Sequence, residues 1–134
     1  MKTRSGPAVY NPPPGPSPFP PPIMETSFNS QTNNGGNSEV SPGSGLHTED
    51  ITFGGTASTR IVFVDTINRT AGDRCVIRAE LPATAGITIN ITSGTIGGPL
   101  LFSYNTDGIS AAATFEVYFN ASSVWQPLRA QVPA

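Results

Sequence analysis

The chain has 134 residues, enough for one domain and a tail, and only 12% are charged, with a formal net charge of -2. That balance offers no basic surface to phosphates, which excludes nucleic-acid capture as the main task. One cysteine and one histidine exclude a disulfide framework and a metal-ligand cluster, and no cofactor motif stands in their place.

The amino terminus carries Lys2 and Arg4, but no apolar run follows them. No secretory signal and no membrane span are therefore expected, and synthesis in a cytosol would keep Cys75 reduced. Nine of the 14 prolines lie before residue 23, and residues 11–22 read NPPPGPSPFPPP. Proline fixes φ and removes backbone donors, so this stretch is expected to run as a polyproline II rod of about 37 Å. Residues 25–46 are rich in Asn, Ser and Gly and read as a flexible linker. Residues 1–46 thus form an extended arm and linker, and residues 47–134 form the folded domain.

Within that domain short β-branched runs alternate with turn signals. Residues 59–65 are the first strand. In 73–81, Cys75, Ile77, Ala79 and Leu81 share one face, with Arg74, Arg78 and Glu80 on the other. Ile87, Ile89 and Ile91 alternate with Thr88, Asn90 and Thr92, and a strand over 100–104 follows the Gly97-Gly98-Pro99 break. Ala113, Phe115, Val117 and Phe119 mark another strand, and Pro127 confines the last run, 124–132, to a sheet edge or bulge. Asp107-Gly108 predicts a hairpin. The pattern is all-β: an antiparallel β-sandwich or jelly-roll-like domain behind a Pro-rich arm, burying Ile77, Leu81, Ile87, Ile89, Phe115, Val117 and Phe119. Neither heptads nor a β-helical repeat is visible. So small a domain without staples is expected to self-associate.

Chemistry is sparse. His47 sits beside Thr48, Glu49 and Asp50 and reads as a solvated hinge rather than a metal or acid–base cluster. Cys75 falls on an apolar face and reads as a core thiol. Asp65, Asp73, Asp107 and Glu116 are the carboxylates open to a glycosidase-like pair, and no spacing brings two of them together. The sequons at Asn68, Asn90 and Asn120 have no use without secretion, and no glycine-rich loop opens a helix to cradle phosphate. No catalytic, cofactor-binding or metal residue is assigned, and the chain reads as non-enzymatic.

Two features point to a partner. Tyr10, Phe19, Ile23 and Phe28 are spaced along the arm, with Pro13 in its stiff stretch. An extended segment of that kind docks at low entropic cost. After Lys2 all the basic residues are arginines, the cation favoured at protein contacts.

Gly72-Asp73-Arg74, the run from Leu81 to Ile87, Gly97 to Leu101, Thr106-Asp107-Gly108, and Val117 to Asn120 with Trp125 together resemble small structural modules of tailed-bacteriophage virions, of the decoration, head-fibre and tail-fibre type. The resemblance spans about residues 51–134. It implies a non-enzymatic homotrimer made in a host cytoplasm and carried on the virion. Its first form is a capsid decoration or cement protein whose arm docks on the major capsid protein or another virion protein. A tail-fibre or appendage adaptor is the second. A carbohydrate-binding module, with Tyr104, Tyr118 and Trp125 as a platform for a host-surface glycan, is the third.

Overall fold

Nine strands build two sheets in a computed structural model that describes residues 25–108 and 111–133. They are β1 (Glu25–Asn33), β2 (Gly36–Val40), β3 (Leu46–Phe53), β4 (Thr59–Val64), β5 (Arg74–Glu80), β6 (Ala85–Ser93), β7 (Leu100–Asp107), β8 (Ala112–Phe119) and β9 (Trp125–Gln131). The described residues contain no helix. One sheet has the order β1-β3-β5-β8-β9 and the other β2-β4-β6-β7.

From β1 to β6 the chain changes sheet at every connection, and each strand lies parallel to the one two places before it. The last three strands close the sheets with antiparallel pairs, β6 with β7, β5 with β8 and β8 with β9. The antiparallel expectation therefore fails for β1 to β6. Period-two alternation is the same in both kinds of ladder, and only the connections decide between them. The winding is β-helical without a sequence repeat, because its turns differ in length. Phe28 lies beside Thr48 and Thr48 beside Val76, offsets of 20 and 28 residues. The Asp107-Gly108 turn likewise carries the chain from β7 in one sheet to β8 in the other, so it is no hairpin.

Corners are made by close backbone approach. Between β1 and β2 the Asn33 side chain accepts the Gly35 N–H at 3.0 Å, an Asx turn. Gly54 N donates to Asn33 O at 2.9 Å, tying the first corner to the next. At Gly55 (φ +72°) a Cβ would stand 2.3 Å from Asn34 O, so only glycine fits there.

One apolar core lies between the sheets. Val40, Val62, Val64, Ile87, Ile89 and Ile91 meet Ile51, Phe53, Ile77, Phe115, Val117, Phe119 and Trp125, and all are buried. The seven residues expected in the core, Leu81 included, are buried there. Pro127 sits on the edge strand β9 beside a register shift, where its missing N–H interrupts no interior ladder.

The linker reading of 25–46 is corrected. Residues 25–33 and 36–40 are β1 and β2, one in each sheet, and β3 begins at Leu46. The folded unit thus begins well before residue 47. Tyr10, Pro13, Phe19 and Ile23 lie outside the described residues. Phe28 does not belong to an arm: it stands on the outer face of β1.

Candidate functional site

The strands β1, β3 and β5 set side by side two faces of different chemistry. In-register residues of parallel neighbours point to the same side, so Ser27, His47 and Cys75 form one inward row and Asn29, Glu49 and Ile77 the next. Toward β5 these rows are apolar. Toward the edge strand β1 they are polar.

His47 and Glu49 are both buried, 3% and 1% exposed. Ser27 Oγ lies 2.6 Å from His47 Nδ1, and His47 Nε2 lies 2.7 Å from Glu49 Oε1. The second carboxylate oxygen accepts from Asn29 Nδ2 at 2.6 Å and Gln31 Nε2 at 2.7 Å. Burial pushes the Glu49 carboxyl up, but the hydrogen bonds from His47, Gln31 and Asn29, with the His47 charge, outweigh it and hold the group below the ordinary value. An ionised carboxylate only accepts, so Nε2 is the nitrogen that carries the proton toward Glu49. In the neutral ring Nδ1 then accepts from the Ser27 hydroxyl.

The order serine, histidine, carboxylate is also that of nucleophilic hydrolases. Here the serine is half-buried and its oxygen is shared with a backbone amide. Gly43 N donates to Ser27 Oγ at 3.2 Å, and a Cβ at Gly43 would stand 2.6 Å from that oxygen. The relay orients the buried imidazole and fastens β1 to β3. The solvated-hinge reading of His47 is therefore corrected. The sequence did hold a signal for it: His47 and Glu49 continue the period-two face of Ile51 and Phe53.

Cys75 is buried beside His47, and burial together with the Glu49 charge pushes its thiol far above the ordinary range despite the Arg69 charge. Such a thiol is a poor nucleophile. Among the described residues no group of three His, Cys, Asp or Glu side chains could hold a metal ion.

On the outer face Arg78 grips Asp50 with two bonds, Nε to Oδ1 at 2.5 Å and Nη2 to Oδ2 at 2.8 Å, and the Asp50 bond raises the guanidinium's already high pKa. Its Cζ lies 6.0 Å from the ring centroid of Phe28, which is 52% exposed. Farther along the same sheet Glu116 is held by Arg129 at 2.8 Å and Arg74 at 3.5 Å. Asp65, Asp73 and Glu116 are bonded separately, Asp65 to Ile67 N, Asp73 to Gly45 N and Thr70 N, and Glu116 to Arg129, so these bonds bring no two of the three together.

The three-aromatic platform is not formed. Trp125 is fully buried, its Nε1 donating to Asp65 O at 2.8 Å and its ring meeting Phe119 edge-on at 5.2 Å. An indole buried with its N–H satisfied is a core residue. Tyr104 packs against the core from β7, and Tyr118 stands exposed on β8 in the opposite sheet. A single run of alternation could not tell which aromatic the second sheet would cover.

The fold and these contacts define an all-β protein of two mixed sheets with a hydrogen-bonded polar edge. No family model, no curated protein and no solved structure matches the chain.

Proposed function

We propose that this chain is a non-enzymatic structural protein of a tailed-bacteriophage virion. In this reading it is a capsid decoration or cement protein, a two-layer sandwich module that docks by its N-terminal arm. The observation that supports it is a polarity between the two ends of the sheets. β1 begins at the end where β2, β4 and β6 finish, so the segment before Glu25 joins the body there. Ile67, Ile96 and Leu100, 66%, 44% and 59% exposed, stand at that same end. Exposed aliphatic side chains gathered where a chain segment enters favour one docking end with two components. The partner is the major capsid protein or another virion protein, the assembly is a homotrimer, and the chain is made in a host cytoplasm. Neither nucleic acid nor membrane is a partner.

The appendage-adaptor reading is favoured by one observation, the β-helical winding of β1 to β6, which suits stacking on an elongated fibre. The glycan reading loses its main support with Trp125 in the core.

The test is occupancy on particles. Deletion of residues 1–24, and the pair Ile67→Ser with Leu100→Ser, should each leave the β spectrum intact and remove the protein from capsids. Full capsid occupancy by both variants overturns the docking model, and binding at the tail alone selects the adaptor. Labelling of Ser27 by a fluorophosphonate probe would overturn the non-enzymatic part.

A further inference from the structure

The edge strand β1 is fastened unlike any other strand of its sheet. Its inward residues are Ser27, Asn29, Gln31 and Asn33, and none of them enters the apolar core. Three of the four give their side chains to one acid–base pair: Ser27 to His47 Nδ1, Asn29 and Gln31 to Glu49 Oε2. Gln31 also donates to Glu39 O, and Asn33 to Ser38 Oγ, at the far end of the strand. β3 and β5, by contrast, put Ile51, Phe53, Ile77 and Ala79 into the core. The buried Arg60 pins the far end of the strand, donating to Asn33 O at 3.0 Å and Asn33 Oδ1 at 3.2 Å, so it is the hold on residues 27–31 that depends on one buried carboxylate remaining charged.

We propose that the His47–Glu49 pair is an acid-sensitive latch that releases β1, and with it the attached N-terminal segment, while β3 to β9 stay folded. When Glu49 takes a proton it gains a donor and loses an acceptor site. The amides of Asn29 and Gln31 and the His47 Nε2–H then compete for what remains, in a buried site where an unmade bond is expensive. A doubly protonated His47 would still find Glu49 and Ser27 as acceptors so long as the carboxylate is ionised, which makes Glu49 the trigger. The groups facing the pair do not offset the change. From β1 the side chains that face the pair, Ser27, Asn29 and Gln31, are uncharged, while Glu25 acts on Arg78. Cys75 on β5 stays a neutral thiol, with the Arg69 charge reaching that thiol. The Glu49 carboxyl is held below its ordinary pKa, so release belongs to acidic solution below the usual glutamate value of about 4.3. The latch rests on strand packing alone and is independent of the virion reading.

Hydrogen exchange on the full chain, corrected for the pH dependence of intrinsic exchange, is the measurement. Between pH 7 and pH 3.5, residues 25–31 should lose protection at least about tenfold while 74–80 and 112–119 keep theirs. The double variant Asn29→Ala with Gln31→Ala retains Glu49 but removes two of its donors, and should shift release toward neutral pH. Glu49→Gln should expose β1 already at pH 7 with no further acid response in 25–31. If β1 keeps its protection until the whole molecule unfolds, or if all strands lose protection together, the latch is wrong. An unshifted release in the double variant also overturns it.

Discussion

Glu49 shows how a buried charge in this protein is made tolerable. A carboxylate 1% exposed survives because three donors reach it, from His47, Asn29 and Gln31, and removing partners from such a group costs more than the pair contributes. Its native pKa lies below the unfolded one. The stability it contributes is therefore complete above the ordinary glutamate value and is lost as pH falls through the native value. A melting series from pH 7 to pH 3 should show that acid slope, and Glu49→Gln should flatten it while lowering stability at pH 7 by about 2–3 kcal/mol. Phe115 states the apolar counterpart. It is 2% exposed with its ring 5.3 Å from that of Phe102, so Phe115→Ala should cost about 3–5 kcal/mol in urea unfolding. A variant as stable as its parent would remove Phe115 from the core.

At the scale of strands, the sequence was legible wherever the inward face was apolar. The alternation of Ile77 and Ala79, of Ile87 to Ile91 and of Phe115 to Phe119 marked β5, β6 and β8 with small errors at their ends. It was illegible for β1, whose inward side is Ser27, Asn29, Gln31 and Asn33, a pattern that composition alone assigns to a linker. β3 was hidden for a related reason, since His47 and Glu49 interrupt the apolar face that Ile51 and Phe53 complete. The candidate site was missed with them, because its members meet only when 27 and 47 become neighbours in a parallel ladder. The folded boundary follows. A chain starting at residue 25 should keep the β spectrum and cooperative melting of the parent. A chain starting at residue 47 loses β1 and β2, one edge strand of each sheet, uncovers the buried pair His47 and Glu49, and should melt at lower temperature or bind a hydrophobic dye. Equal melting of the two truncations would return residues 25–46 to the status of a linker.

For the whole molecule, the winding decides which surfaces remain to be used. Three parallel turns leave β1 and β2 at the edges of their sheets, β9 and β7 at the opposite edges, and the loops after β2, β4, β6 and β8 gathered at one end. That end holds Ile67, Ile96 and Leu100 exposed, and in the proposed reading it is the surface that association covers. In that reading identical copies are the first candidate, three of them. Sedimentation of the full chain at micromolar concentration should therefore give a trimer. Ile67→Ser with Leu100→Ser should shift it toward monomer without changing the β spectrum, and in the proposed reading it leaves capsids because only the trimer docks. Phe28→Ser serves as the control: Phe28 is as exposed, but it lies on the outer face of β1 against Arg78, so its loss should leave the trimer intact. If the parent sediments as a stable monomer, self-association is excluded. If Phe28→Ser dissociates the trimer and the loop variant does not, the contact runs through the β1 face, and the docking end is free on the assembled trimer.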